Sequence, residues 1–162
     1  MSPLARRVPE ERPMEGLCGS LVYALTCVAP AGYDLLEETP GPGLVMRYTS
    51  RAPTGAERSH LILRAYPLGD RKLSWVFEEN AVKPLRAARG VTDLKVREGT
   101  LGARRGLALV ARRDGETWSF VHRLFAFQRE GVVFVVEHAV PASKAKAEGP
   151  VLEAFIASLA FR

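Results

Sequence analysis

The sequence is short of the features that usually reveal a chemical function. Its 162 residues include two cysteines, three histidines and two tryptophans. No apolar run approaches the roughly 18 residues that a membrane-spanning helix needs. The chain has neither a Gly-x-Ser-x-Gly nucleophile motif nor the glycine spacing of phosphate and dinucleotide loops. We therefore predict a protein without catalytic residues, metal ligands or a bound cofactor, and not an enzyme.

The composition is that of an ordinary globular domain. Hydrophobic residues make up 47% of the chain and charged residues 25%, and a chain of this length can bury a sizeable core. Residues 1–16 contain three prolines, mixed charge and few large apolar side chains, a composition that disfavours a packed structure. We predict a flexible tail over 1–16 and a single α+β domain over 17–162.

The two cysteines bear on the cellular compartment. Their spacing does not match the CxxC pattern of redox or zinc sites. Cys27 lies in a predicted first strand, Leu21–Ala29, where a free thiol packs like a small apolar side chain. A disulfide with Cys18 would require export, and the weak apolar stretch Leu17–Ala31 follows an acidic, proline-containing region that makes a poor signal peptide. We predict a cytoplasmic protein.

The last third of the chain has the clearest structural pattern. Three strand-like segments, 104–113, 118–129 and 132–140, are joined by Asp114-Gly115 and Glu130-Gly131. An Asp-Gly pair between apolar runs is a strong hairpin signal, because both residues tolerate positive φ. The segment 118–129 is apolar on both faces, and such a strand needs cover on both. These segments predict consecutive neighbours in a central, mostly antiparallel sheet with flanking helices.

The rest of the chain predicts further strands and two helices. Alternating patterns predict the strands Gly43–Ser50, His60–Tyr66 and Thr92–Glu98. Asp70 can cap a helix that begins at Arg71, and Pro84 should kink or end that helix near Val82. A closing helix over 150–160 has an apolar stripe.

That stripe predicts that Phe155 and Ile156 of the closing helix are buried against the sheet. The stripe also contains Val151, Leu152 and Leu159.

The order of these elements resembles the Mog/PsbP-like family. Tyr23–Ala29 leads into Pro30-Ala31-Gly32-Tyr33, which is similar to the family's early strand followed by Pro-x-Gly-aromatic. A strand pair, a helix and the long meander follow, and the segment 155–161 is similar to the family's closing helix. The resemblance covers roughly residues 20–162. It implies an α/β/α sandwich whose members act as binding partners: photosystem subunits, a small-GTPase cofactor and chaperones for secreted effectors.

Positive charge is concentrated in one part of the chain. The net charge is +5, and the segment 84–113 carries eight Lys or Arg residues against two acidic ones. Such a segment can attract an acidic protein, nucleic acid or anionic lipid, or it can simply be a solubilising surface. We expect Lys95 and Arg97 to point away from Leu94 and Val96. The candidate partner-binding residues are Lys95, Arg97, Arg112 and Arg113.

The histidines suggest one further constellation. If residues pair across the Glu130-Gly131 turn with His122 opposite His138, then Arg123 lies opposite Glu137 and forms a cross-strand ion pair. Two facing histidines are half of a metal site, for which His60 is the obvious third ligand, or a pH-sensitive pair. Structural packing is the alternative, and we predict no metal site.

Together these observations predict a non-enzymatic protein-binding module, of the adaptor or chaperone type, with a basic segment. The predicted partner is a protein, and an acidic one would suit the basic segment. The alternative is a nucleic-acid or anionic-surface binder, and an enzyme of unknown class comes third. Binding to phosphates weakens steeply with salt, so salt dependence separates the first two hypotheses.

Overall fold

The computed structural model describes residues 16–36 and 43–162, and its centre is a seven-stranded antiparallel sheet with the order β3-β4-β5-β9-β8-β7-β6. A three-stranded sheet with the order β1-β2-β10 lies beside it. The strands are β1 (Leu17–Ser20), β2 (Leu25–Val28), β3 (Tyr33–Leu35), β4 (Leu44–Ser50), β5 (His60–Pro67), β6 (Val91–Leu101), β7 (Arg104–Asp114), β8 (Ser119–Arg129), β9 (Val132–Pro141) and β10 (Ala160–Phe161).

Two helical segments accompany the sheets. The segment α1 runs over 73–87 as Leu73–Phe77, a π-helical turn Glu78–Val82, and Lys83–Ala87. The helix α2 is Pro150–Ser158, and short 3₁₀ turns lie at Gly55–Glu57 and Ala142–Lys144. In the described residues no helix has the length and apolarity needed to cross a membrane. The predicted tail, apart from Gly16, lies outside the described residues.

The predicted meander of β7, β8 and β9 is confirmed, but its register differs by one residue from the prediction. Glu130 and Gly131 both have positive φ, 47° and 79°, as a two-residue hairpin turn requires. The turn makes Arg129 the partner of Val132. Because side chains alternate between faces, a shift of one residue in the register places the two side chains of every predicted pair on opposite faces of the sheet.

The register therefore corrects both pairs predicted around His122. His122 lies opposite Ala139, and Arg123 lies opposite His138. His122 and His138 face opposite sides of the sheet, so the predicted histidine pair is wrong. The predicted ion pair of Arg123 with Glu137 is also wrong, since Arg123 donates to the carbonyl of Gly149 at 2.8 Å.

The two faces of the large sheet are covered by different elements. The face that packs on α1 is called the α1 face, and the face that packs on α2 and the small sheet is called the α2 face. The core of the α1 face includes Leu109, Leu124, Val133 and Val135 with Val76, Phe77 and Val82 of α1. The core of the α2 face includes Leu61, Phe125, Phe134 and Val136 with Leu25, Leu152, Phe155 and Ile156. The burial of Phe155 and Ile156 is as predicted.

The segment α1 passes through Pro84 without ending at Val82. A proline inside a helix clashes with the carbonyl four residues earlier, here that of Asn80. The π turn widens the backbone just before this point, where Lys83 donates its N–H to the carbonyl of Glu78 five residues earlier. The predicted cap is wrong, because the helix begins at Leu73 with no side-chain cap.

The first predicted strand is a hairpin in the structure. Its two strands, β1 and β2, are joined by a turn at 21–24 in which Ala24 has φ 52°. This turn leaves Leu21 and Val22 exposed at the tip. Cys18 lies directly opposite Cys27 and the two form a disulfide, with a Cα–Cα distance of 4.9 Å that is ordinary for such a bond. The prediction of a free Cys27 thiol is therefore wrong.

Candidate binding sites on the two faces of the sheet

Three of the four predicted partner-binding residues share the α2 face at the β6 edge of the sheet. Val110 of β7 lies directly opposite Lys95 of β6 and Arg123 of β8. Arg97 and Arg112 lie two residues along their strands, on the same face because side chains alternate. We call Val110 with its four cationic neighbours, Lys95, Arg97, Arg112 and Arg123, the basic patch.

The centre of the basic patch is apolar and open. Val110 is 43% exposed, and a cavity of about 230 Å³ extends from Arg97, Val110 and Arg123 to Leu152 of α2. Among the described residues, neither Lys95 nor Arg97 forms an ion pair with an acidic side chain. The patch therefore presents an apolar centre with two cations, Lys95 and Arg97, available to a partner, while Arg112 pairs with Asp114 at 3.1 Å and Arg123 donates to Gly149.

The other side chains of β6 only partly follow the predicted pattern. Leu94 packs against the core of the α1 face, as expected. Val96 lies on that same face opposite Leu109, away from Lys95 and Arg97 as expected, but it is 42% exposed. The reason is its place on the outermost strand, beyond which no further strand pairs among the residues described.

Arg113, the fourth predicted residue, lies on the opposite face from its neighbour Arg112. Its Nε donates to the carbonyl of Arg89 at 3.1 Å, and its guanidinium lies 5.7 Å from the ring centre of Trp118. Arg113 therefore cannot share one flat contact surface with Lys95, Arg97 and Arg112.

A cleft of about 300 Å³ lies between α1 and the sheet, beside Arg113. Its floor carries a charged triad in which Glu137 accepts from Arg64 at 2.9 Å and pairs with Nδ1 of His122 at 2.8 Å. Its roof is formed by the π turn and the helix after it. The other lining residues include Tyr66, Asn80, Ala81, Pro84, Leu85 and Ala88.

The triad keeps Glu137 ionised despite its burial. Burial alone would raise the pKa of this carboxyl group. The hydrogen bond from His122 and the charge and hydrogen bond of Arg64 outweigh that cost and lower the pKa from 4.5 to about 2. Glu137 is thus a fixed anion whose charge is balanced by Arg64, and it leaves Arg113 as the uncompensated cation of the cleft.

A second, more apolar cavity of about 380 Å³ lies next to the first, and Arg113 and His122 line both. Its walls include Trp118 and Phe120, whose rings meet edge to face at 5.9 Å. The indole of Trp118 lies against the backbone of Gly115, where an added Cβ would come within 2.1 Å of the ring. The absence of a side chain at Gly115 therefore allows Trp118 to form this wall.

A buried polar network ties the loop before α2 to the sheet. Ser59 donates to Glu148 at 2.8 Å, and Tyr33 also donates to Glu148. The Tyr33 oxygen and Nε2 of His138 are 2.8 Å apart, which fits a neutral histidine that donates from Nε2. Burial lowers the pKa of His138 from 6.5 to about 4 and, with the bond to Glu148, raises that of Tyr33.

Sequence reasoning missed both polar clusters. Ser59 and Glu148 lie far apart in the chain and belong to no local motif, and Tyr33 is named only as the aromatic residue of Pro30-Ala31-Gly32-Tyr33. One signal was available in the alternation of side chains along β9. Glu137 and His138 are the polar residues of this otherwise apolar strand, and adjacent residues must face opposite sides of the sheet. With the correct register they point to two separate clusters.

The fold is shared with solved structures, although no family model and no curated protein sequence matches the chain. The Ran-binding protein Mog1p of Saccharomyces cerevisiae is 16% identical, with a TM-score of 0.59 over 89% of this chain and 93% of that protein. PsbP (CyanoP) of Synechocystis is 11% identical, with a TM-score of 0.60 over 90% of this chain and 91% of that one.

A third similar structure is LpqN, involved in cell envelope biogenesis of Mycobacterium tuberculosis. It is 14% identical, with a TM-score of 0.58 over 83% of this chain and 81% of that one. None of these three proteins is described by an enzymatic reaction. At such identities the likeness shows the fold alone, and at that level the Mog/PsbP-like resemblance and the sheet-rich α+β class are confirmed.

Proposed function

We propose that this chain is a protein-binding module of the adaptor or chaperone type, and that it docks an acidic protein partner on the basic patch. The observation that carries the proposal is Val110, an exposed apolar side chain with Lys95 and Arg123 directly beside it on the two neighbouring strands. Arg113 is left out of this surface because it lies on the other face.

The chemistry of the basic patch suits a protein better than a nucleic acid. Protein interfaces commonly have an apolar centre and a polar rim, and Val110 with its cationic neighbours has that arrangement. Binding of single-stranded nucleic acid uses aromatic side chains as stacking platforms, and the centre of this patch is aliphatic. The name of Mog1p, a Ran-binding protein, is consistent with a fold that binds proteins.

Photo-crosslinking in the cells that naturally make the protein tests the proposal. The photoreactive amino acid p-benzoylphenylalanine replaces Val110 in one variant and Val96 in a matched control. These two valines are almost equally exposed, 43% and 42%, and lie on the adjacent strands β7 and β6 but on opposite faces. We expect a discrete protein product from position 110 that is absent from position 96.

Charge reversal makes the result specific. The variant Lys95→Glu/Arg97→Glu should lose the product from position 110 while keeping its melting temperature, because exposed charges add little to stability. Equal products from both valines would contradict the proposal. A product that nuclease removes would favour the alternative of a nucleic-acid binder.

The compartment is a separate proposal. The sequence predicts the cytoplasm, but disulfides persist in oxidising compartments and are rare in the cytosol. The Cys18–Cys27 disulfide therefore favours an exported protein. The intact mass of the protein from its native cell, measured with thiols blocked at lysis, should show no blocked cysteine. Two blocked cysteines would support the prediction of a cytoplasmic protein instead.

A further inference from the structure

We infer that two neighbouring cavities on the α1 face of the sheet, which share Arg113 and His122 as lining residues, bind a small aryl carboxylate, with the carboxylate beside Arg113 and the ring against Trp118 and Phe120. This site goes beyond the proposed protein-binding function, since it lies on the opposite face of the sheet from the basic patch and needs no protein partner.

The size and the division of the cavities fit such a ligand. The two volumes, about 300 and 380 Å³, fall in the range of small-molecule pockets, roughly 300–1,000 Å³. One end is lined by Trp118, Phe120 and Ala139 and is mostly apolar. The other end carries Arg64 and Tyr66 and is more polar, although apolar side chains of α1 also line it. A ligand that spans both ends must therefore be amphipathic.

The charges of the cleft select an anion. Arg64 and Glu137 pair with one another at 2.9 Å, so their charges compensate. Arg113 lines both cavities, and among the described residues it has no carboxylate partner; its one hydrogen bond runs from Nε to the carbonyl of Arg89. A single cation at the junction of the two cavities matches a monoanion, and the planar guanidinium suits a carboxylate.

One further donor lies in the cleft. His122 donates from Nδ1 to Glu137, so Nε2 of the neutral ring is an acceptor and does not bind a carboxylate. The Tyr66 hydroxyl makes no hydrogen bond to any residue in the described ranges. Polar groups left without protein partners in a cleft are suited to orient a bound ligand. Arg113 on β7 and Tyr66 on β5 belong to one rigid sheet, in which β8 and β9 lie between their two strands.

Aromatic packing accounts for the ring. Trp118 and Phe120 present an edge-to-face pair at 5.9 Å, and a flat ring placed against them gains stacking or edge contacts. The indole is held in place through its close approach to Gly115. Gly115→Ala should therefore displace Trp118 and disrupt the apolar end, together with the contact between the ring and the Arg113 guanidinium 5.7 Å away.

The test compares two probes of nearly equal shape, 2-naphthylacetate and 2-naphthylacetamide, by calorimetry on the full oxidised chain. We expect the acid to bind with a Kd on the order of 0.1–1 mM, as small ligands do, and about tenfold tighter than the amide, as one charge-assisted contact provides. Heteronuclear NMR should place the largest shifts at Arg113, His122 and the indole N–H of Trp118.

Two arginine variants form a matched pair for the charge. Arg113→Gln should abolish the preference for the acid over the amide. Arg112→Gln removes the same charge from the adjacent residue on the other face, and the preference should remain. Gly115→Ala should weaken the binding of both probes. Urea unfolding checks that each variant is folded.

Several results would overturn the inference. They are equal affinity of the wild-type protein for acid and amide, an equal effect of the two arginine variants, shifts confined to the basic patch, or no binding of either probe at 5 mM, roughly five times the weakest expected Kd. Failure here leaves the crosslinking result at Val110 untouched, because that experiment uses the other face and a protein partner.

Discussion

Mild acid should destabilise this protein through one buried histidine. His138 is 1% exposed and contacts Tyr33 at 2.8 Å, with the Glu148 carboxylate 3.9 Å away. Burial lowers its pKa from 6.5 to about 4; Glu148 opposes the shift and the charge of Arg123 adds to it. A proton on His138 is therefore more costly in the folded protein than in the unfolded chain.

The sign and the size of the effect follow from linkage. Between pH 6.5 and 4 the unfolded chain binds the proton of this residue more readily, so the stabilisation is complete above pH 6.5 and is lost as the pH falls. From pH 7 to pH 5 the contribution of His138 to the free energy of unfolding falls by about 2 kcal/mol. Glu137, with a pKa lowered from 4.5 to about 2, loses its own contribution below this interval, so the two effects are separable.

Urea unfolding of the oxidised protein at pH 7, 6 and 5 measures the loss. The variant His138→Gln cannot titrate at this position, and its free energy of unfolding should change by less than about 0.5 kcal/mol over the same interval. An equal drop in the wild type and the variant would refute the reasoning. So would an NMR titration of the His138 ring with a midpoint near that of a free histidine.

Three further predictions concern stability. Phe155→Ala should lower the free energy of unfolding by about 3–5 kcal/mol, since Phe155 is almost fully buried; an unchanged urea midpoint would show that the α2 stripe is not core. Reduction of the Cys18–Cys27 disulfide should cost about 2–3 kcal/mol, as expected for a short loop, measured with and without reductant; an equal midpoint in both would contradict it. Glu137→Gln should cost about 2–3 kcal/mol at pH 7 because it leaves the charge of Arg64 unpaired, and a cost that does not shrink toward pH 3 would be against this explanation.

Local chemistry explains what the sequence could predict of the fold. The strands β7, β8 and β9 pair with close neighbours in the chain. The turn between β8 and β9 uses positive φ at Glu130 and Gly131, whereas Asp114 and Gly115 between β7 and β8 do not have positive φ. Register is a finer property: the two-residue turn at Glu130-Gly131 differs by one residue from the assumed pairing. That single residue was enough to place His122 with Glu137 and to separate it from His138.

The parts that could not be predicted depend on contacts between distant segments. The strand β10 at the chain end pairs with β2 near its beginning, and a two-residue strand has no periodicity of its own. The Glu148 network draws on four separate elements. The basic residues were identified from composition, but their division between two faces required the register of β6 and β7, which places Arg112 and Arg113 on opposite sides.

The most direct test of the central claim is the rate at which this protein associates with the partner that crosslinks at Val110. The rate is measured at low and at high salt. The basic patch predicts that Lys95→Glu/Arg97→Glu/Arg112→Glu slows association about tenfold or more at low salt, with less effect at high salt and little change in dissociation. Arg113→Glu, on the other face, should leave the rate near that of the wild type. An association rate at low salt that is unchanged by the triple charge reversal would show that the basic patch is only a solvated surface.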